Sequence, residues 1–262
     1  MSLSESSQTT IRGIQNAAEL IRNSQLITVL TGAGISTPSG IPDFRSPDKG
    51  LWNKLDPFEV ASLTNFRYDP ELFYKLMRPL ATKLHDAEPN PAHIGLAQLE
   101  NAGHVQTIIT QNIDLLHQRA GSKHVLEVHG SFRSLTCISC YFKTDSESYI
   151  EPYLQNGRIP TCPKCKHVFK PDLILMGEQL PAQTWLKAVE SSKNCNLMII
   201  AGSSLEVLPV AGLPMRALEN GAHLVIINHT PTYLDVRADV VIHEGVETII
   251  PGIVEEVIGG HV

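Results

Sequence analysis

Four of the five cysteines fall into two Cys-x-x-Cys pairs, Cys137/Cys140 and Cys162/Cys165, with 21 residues between them. Each pair sets two thiols on one side of a tight turn, and two such turns complete a tetrahedron of soft ligands suited to zinc. Four thiolates leave no position open to water, so the expected metal is structural. A pair of redox dithiols is the alternative, and the duplication argues against it. A zinc ribbon is also compatible with nucleic-acid binding. However, the flanks SLTCISCYFKTD and TCPKCKHVFK are only modestly basic, and the net charge is 21 − 27 = −6, which disfavours a polyanion as partner. The fifth thiol, Cys195, reads as an ordinary buried side chain.

A second concentration of chemistry lies in Thr31–Ser46, TGAGISTPSGIPDFRS. Gly32 and Gly34, with Ala33 between them, follow an apolar run and would let a backbone turn closely against a phosphate. The third glycine of the dinucleotide fingerprint is absent; Thr37 stands in its place. The loop then carries an acid, a ring and a guanidinium in series, Asp43, Phe44 and Arg45. Further along, Gln111-Asn112-Ile113-Asp114 and Gly202-Ser203-Ser204 also follow apolar runs, as do His129 and Asn228. Each has a plainer reading: a strand-to-loop turn for the glycines, a surface ion pair for Asp43 and Arg45, helix capping for Asn112 or Asp114, and a structural role for His129. Histidine also has the side-chain pKa best suited to a general base near neutrality.

The elements that must position these residues alternate. Apolar runs rich in β-branched residues predict strands over 26–30, 105–110, 125–128, 173–176, 197–201, 223–228 and 240–243. Helical spacing or capping signals predict helices over 10–23, 69–84 with Pro79 kinking or interrupting it, 90–102, 115–120, 181–191, 210–220 and 247–258. Alternation of this kind predicts an α/β fold with a doubly wound parallel sheet. It is broken twice, over 51–84, where only helix is expected, and over 131–170, which holds the four paired cysteines. Ligands of open parallel sheets bind at the carboxyl ends of strands, where the polar residues fall. At 262 residues with 42% hydrophobic and 18% charged content, the chain can bury a substantial core as one globular unit. No apolar run is long enough to span a bilayer, and the polar start MSLSESSQTT lacks a signal-peptide core, so a cytoplasmic location is expected.

The motifs GAGIS, SGIPDFRS, TQNID, VHG, the two cysteine knuckles, MGEQLP, GSSLEVLP and IN, in this order, resemble the sirtuins, the NAD-dependent protein deacylases, over roughly residues 26–228. The stretch TQNIDLLHQRAGSKHVLEVHG is most similar to bacterial and archaeal members. The resemblance implies a large Rossmann-like domain (about 10–46, 85–130 and 171–262). It implies a smaller domain made from a helical insertion (about 47–84) and a zinc-binding insertion (about 131–170). It implies NAD as a consumed co-substrate, one structural zinc, and acetylated lysine-containing proteins as partners, with a monomer favoured. In such enzymes the acyl-lysine carbonyl oxygen attacks the ribose as nicotinamide leaves, and the products are free lysine, nicotinamide and O-acyl-ADP-ribose.

By the same resemblance, His129 is the base and Asn112 shares the catalytic site. Gly32, Ala33, Gly34, Thr37, Asp43, Phe44, Arg45, Gln111, Asn112, Ile113, Asp114 and His129 line the cofactor site, with Phe44 shielding the reacting ribose and Pro38–Ser46 covering the nicotinamide end. Gly202, Ser203, Ser204, Asn228 and Val246 contact its adenosine half. An extended peptide adds as a strand between Gly177-Glu178 and Leu205-Glu206-Val207. Met176 stands where the family pattern usually has phenylalanine, a wall of the acyl-lysine tunnel. The succinyl-removing branch carries a Tyr-x-x-Arg pair in the helical insertion. Here Tyr74 is followed by Met77 and only then Arg78, which favours an uncharged acyl group, acetyl first.

Overall fold

The computed structural model describes residues 5–43 and 61–259. Strands β1 (Ile27–Thr31), β2 (Val105–Thr110), β3 (Val125–Glu127), β7 (Leu197–Ala201), β8 (His223–Ile227) and β9 (Val240–Ile242) form a parallel sheet in the order β3-β2-β1-β7-β8-β9. β1 and β7 are buried along their whole length, as expected of central strands covered by helices on both faces. The chain winds outward in both directions from the β1/β7 pair. That pair is therefore the topological switch point, where ligands of such sheets bind.

One face is covered by α1 (Glu5–Asn23), α4 (Pro91–Asn101) and α9 (Val246–Ile258), packed on a cluster that includes Ile21, Ile27, Leu96, Ile108 and Ile249. The other is covered by α7 (Ala182–Asn194) and α8 (Leu213–Glu219), on a cluster with Leu30, Met198, Ile200 and Ile226. Alternate residues of β1 thus serve opposite clusters, as strand periodicity requires. Among the described residues, no helix is long and apolar enough to cross a membrane.

A second, antiparallel sheet has the order β5-β4-β6, from β4 (Gly130–Cys137), β5 (Lys143–Asp145) and β6 (Phe169–Leu173). It packs with α6 (Glu147–Asn156), and beside it lie α2 (Leu63–Tyr68) and α3 (Pro70–Asp86). Phe66, Phe73, Tyr74, Met77, Leu80 and Tyr153 share one cluster. The Tyr74 hydroxyl donates to the Phe169 carbonyl at 2.8 Å, and the Tyr153 hydroxyl to that of Tyr74 at 2.6 Å. Asp69 caps α3, its carboxylate accepting from the Leu72 N–H at 2.9 Å, and Pro70 occupies the first turn, as expected.

Four expectations are corrected. Of the two outcomes expected at Pro79, a kink or an interruption, the interruption does not occur: α3 runs on to Asp86, the packed side chains on one face holding the helix across the missing N–H. Residues 173–176 are not a strand of the parallel sheet: β6 ends at Leu173 and pairs antiparallel with β4. Met176 instead makes an isolated parallel bridge to Ser62. A short apolar run carries no information about which sheet it joins, and of this one only Leu173 is in a strand, the last residue of β6. The helix expected over 210–220 is a 3₁₀ turn, Val210–Gly212, followed by α8. The first helix begins at Glu5, earlier than position 10.

Candidate active site

β1 ends at Thr31, and the chain turns at Gly32 into a 3₁₀ helix, Ala33–Ser39, which Gly40 terminates in the left-handed conformation. The turn is locked to the exit of β7. The Gly34 N–H donates to the Gly202 carbonyl at 2.9 Å. A Cβ on Gly202, whose φ is +63°, would lie 2.2 Å from the Ile35 nitrogen. Two backbones thus touch at the switch point, and only glycine permits it. The glycines expected to approach a phosphate are first needed to approach each other.

Beside this turn a chain of hydrogen bonds joins residues from three segments. Asn112, just after β2, donates from Nδ2 to the Gly32 carbonyl and to Ser36 Oγ, both at 3.0 Å. Ser36 Oγ donates to Asp114 Oδ2 at 2.7 Å. Asp114 Oδ1 accepts the Leu116 N–H at 2.9 Å, opening α5 (Leu116–Arg119). Both protons of the Asn112 amide are thereby committed, and its plane is fixed. All three side chains are buried. Burial raises the Asp114 carboxyl above its ordinary value, while the Leu116 N–H and the Ser36 hydroxyl pull it back down. Leu115, between Asp114 and α5, holds φ at +64°, a strained conformation for a branched side chain.

His129 sits where the chain leaves β3 for β4, between the two sheets. Its Nδ1 lies 3.0 Å from the Gln111 carbonyl. A carbonyl only accepts, so Nδ1 carries the proton and Nε2 has the lone pair a base needs. Burial lowers the His129 pKa below its ordinary 6.5, partly offset by the Gln111 hydrogen bond, which keeps the ring neutral at pH 7. Its carbonyl accepts from the Ile174 N–H at 2.8 Å, and the next residue, Gly130, has φ +68° with the Asp172 carbonyl pressed where a Cβ would be. The histidine is therefore clamped on both sides of its backbone.

Toward the far end of the cleft, the Gln111 side chain donates to Ser203 Oγ at 3.0 Å. Ser203 is buried and Ser204 exposed. Asn228, at the end of β8, donates to the carbonyl and hydroxyl of Thr230, and its carbonyl accepts from His243 Nδ1 at 2.8 Å. Ala33 and Ile113 are half-buried, and Thr37 is exposed, its hydroxyl donating to the Gly34 carbonyl. Asp43 is half-buried; Phe44 and Arg45 lie outside the described residues. The Val246 side chain is buried in the core under α9, so only its backbone is available to a ligand. Ser36 is the site residue that sequence reasoning passed over. A small hydroxyl in a turn after two glycines was its only signal.

The residues expected to hold a peptide are placed as follows. Met176 is half-buried, with its N–H donating to the Ala61 carbonyl and its carbonyl accepting from Leu63. Gly177 is exposed with φ +88°. The Glu178 carboxylate is occupied internally, by the Leu175 N–H at 2.8 Å and Lys170 Nζ at 2.9 Å. Leu205 is buried with φ +56°, and Glu206 and Val207 are exposed.

The four paired cysteines converge. Their sulfurs all lie within 4.8 Å of one another, the single such His/Cys/Asp/Glu cluster among the described residues. Cys137 and Cys165 are 3.3 Å apart, Cys140 and Cys162 3.6 Å. These spacings are too long for disulfides and close to the ~3.8 Å edge of a tetrahedron with 2.3 Å zinc–sulfur bonds. Both knuckles fold alike. Tyr141 and Lys166, each following a second cysteine, are left-handed at φ +58° and +67°. Their N–H groups donate to the carbonyls of Cys137 and Cys162 at 3.1 and 2.9 Å. The donor set and geometry fit one structural zinc.

Polar side chains converging on the switch point of a parallel sheet, beside a four-cysteine ribbon, define a nucleotide-binding α/β enzyme of the doubly wound class. The Sir2 family model matches residues 32–209, and the chain belongs to the Sir2 family. It is 46% identical over 245 residues to the NAD-dependent protein deacylase 2 of Archaeoglobus fulgidus, covering 93% of this chain and 96% of that one. It is 46% identical to the NAD-dependent protein deacetylase 2 of Caldanaerobacter subterraneus, covering 88% and 90%. A solved Sir2 enzyme superposes with a TM-score of 0.88 at 46% identity, covering 94% of this chain and 98% of that one. A Sir2 structure with a p53 peptide and NAD+ superposes with a TM-score of 0.84 at 37% identity, covering 95% and 99%. One bound to a myristoylated histone peptide superposes at 0.81 with 40% identity, covering 94% and 96%.

Proposed function

We propose that this chain is an NAD-dependent protein-lysine deacylase that acts on acetyl-lysine first. NAD bound in the cleft supplies a labile glycosidic bond to nicotinamide and an electrophilic ribose carbon for the acyl oxygen. His129 Nε2 is the base for the ribose hydroxyls, held neutral by burial and aimed by the Gln111 carbonyl. Asn112, fixed through Gly32 and Ser36, orients the reacting end, with Asp114 and Ile113 beside it. Ala33, Gly34, Thr37, Asp43, Phe44 and Arg45 line the rest of that end, and Gly202, Ser203, Ser204, Asn228 and the Val246 backbone the adenosine end. The observation that carries this reading is the hydrogen-bonded set Asn112–Ser36–Asp114 standing at the switch point with His129.

Acetylated proteins are the partners, entering along Met176-Gly177-Glu178 and Leu205-Glu206-Val207. The chain works as a monomer in the cytoplasm, where unbridged thiols such as these persist. Its larger domain comprises about 10–46, 85–130 and 171–262, and the smaller the two insertions. The test is NAD-dependent turnover of an acetyl-lysine peptide. Nicotinamide release that requires the peptide supports the reading; equal release without it points to ADP-ribosyl transfer or hydrolysis and ends it.

A second reading concerns the acyl chain. Arg78 donates to the Leu154 and Gln155 carbonyls at 2.7–3.0 Å, and the Tyr74 hydroxyl is committed to Phe169, so neither is available to a charged acyl group. A cavity of about 500 Å³, lined largely by apolar residues such as Leu84, Ile113, Phe132, Leu135 and Tyr153, lies beside Asp114. Its size favours acceptance of alkyl chains longer than acetyl. A peptide panel from acetyl through butyryl to myristoyl, with succinyl as the charged member, ranks them.

A further inference from the structure

Two buried histidines have no part in the reading above. His93, on α4, and His117, on α5, pack edge to face with ring centroids 4.9 Å apart. Neither nitrogen of His93 has a hydrogen-bond partner, nor does His117 Nδ1. The remaining nitrogen, His117 Nε2, lies 2.9 Å from Thr31 Oγ1. Thr31 and Thr110 are register partners at the ends of β1 and β2, and Thr31 Oγ1 donates to Thr110 Oγ1 at 2.9 Å. Thr110 Oγ1 also accepts the Asn112 backbone N–H at 3.0 Å.

His117 Nδ1 has no partner, so it is better left as a lone pair than as a stranded N–H, which places the ring proton on Nε2. Thr31 Oγ1 then accepts from His117 Nε2 and gives its one hydroxyl proton to Thr110. Burial first, and then the neighbouring His93, hold His117 well below its ordinary pKa, so the ring is a neutral donor. We propose that His117 is a positioning residue for Asn112, acting through the Thr31 and Thr110 hydroxyls on the backbone from which the Asn112 amide projects. The inference rests on the reading that Asn112 borders the reacting bond. It gives the otherwise costly burial of two imidazoles a purpose beyond packing.

The test breaks the relay at its centre. Thr31→Val keeps shape and burial but removes the hydroxyl, and Thr31→Ser restores it. Thr28→Val is the control: Thr28 is a second buried β1 threonine, whose hydroxyl donates to the Ser191 carbonyl at 3.3 Å. With NAD and acetyl-lysine peptide, Thr31→Val is expected to lose about tenfold or more in kcat, with both KM values within about twofold, because misorientation raises the barrier without removing binding contacts. Thr31→Ser should recover most of that loss, and Thr28→Val should keep the parent kcat even if its melting temperature falls equally. His117→Gln, which can still donate to Thr31, should retain more activity than His117→Leu. Independently of turnover, the Asn112 amide should exchange with solvent about tenfold faster in Thr31→Val than in Thr28→Val. A Thr31→Val kcat within twofold of the parent, or an equal loss in Thr28→Val, overturns the inference. A parent chain with no peptide-dependent turnover removes the functional reading and this inference with it; unchanged Asn112 exchange with turnover intact removes the inference alone.

Discussion

Replacing His93 with leucine should change how stability depends on pH. His93 is fully buried, neither of its nitrogens has a hydrogen-bond partner, and burial pushes its pKa from 6.5 down to about 4. The unfolded chain binds a proton at this position near pH 6.5, while the folded chain resists until about pH 4. Between those values the unfolded state holds the extra proton, so acidification favours unfolding. The contribution of His93 is intact above pH 6.5 and is lost as pH falls toward 4. Integrating that linkage from pH 7 to pH 5 gives a loss of about 2 kcal/mol from this residue alone. His117 acts in the same direction and stays in the variant with Asp114 and Glu127, so their effects cancel in the difference apart from the smaller part of the His117 shift that His93 itself causes. The assay is urea unfolding of the parent and His93→Leu at pH 7, 6 and 5. At pH 7 the two should differ modestly, because leucine fills similar space and leaves no unpartnered nitrogen. By pH 5 the variant should have gained about 2 kcal/mol on the parent. Parallel pH profiles would show that the folded protein accommodates a protonated His93, and would refute the reasoning.

Gly202→Ala should destabilise by about 3 kcal/mol or more, since a left-handed conformation and a backbone clash add; Gly221→Ala, with φ +85° and open space around its Cβ, should cost about 1 kcal/mol, and equal midpoints for the two in urea would contradict the close approach at the switch point. Elemental analysis should find one zinc per chain, lost in Cys140→Ser together with thermal stability, while turnover of zinc-loaded protein should not rise with further zinc; a rate that follows added zinc would contradict a structural role. The acid limb of kcat/KM should lie below pH 6.5, because burial lowers the His129 pKa and activity requires the neutral ring; a limb above that value would exclude His129 as the group observed.

Much of this was readable from residue order, for physical reasons. Buried parallel strands are runs of β-branched and aliphatic residues, and β2 and β7 occupy the segments that pattern predicts, 105–110 and 197–201. Two knuckles at regular spacing predict four converging sulfurs because a tight turn fixes each pair locally. What failed was non-local. The strand expected over 173–176 is found at 169–173, and only tertiary pairing shows that it joins β4 in the smaller sheet. Ser36 and the two threonines that join His117 to Asn112 are common residue types in unremarkable positions. Their function depends on register between strands nearly eighty residues apart, which no local pattern records. Val246, assigned to the ligand by resemblance, has its side chain in the core, so a contact there would be made by its backbone.

If His129, neutral and aimed by Gln111, is the base in a reaction that consumes NAD and an acyl-lysine together, its removal should stop the chemistry and leave NAD bound. The direct measurement is mass-spectrometric product analysis with NAD and an acetyl-lysine peptide, for the parent and His129→Ala, alongside calorimetric NAD binding. The parent should yield equal amounts of nicotinamide, deacetylated peptide and O-acetyl-ADP-ribose, and His129→Ala none of the acetylated product, with NAD still bound. A fully active His129→Ala, or a parent that deacetylates the peptide without NAD, would contradict that assignment.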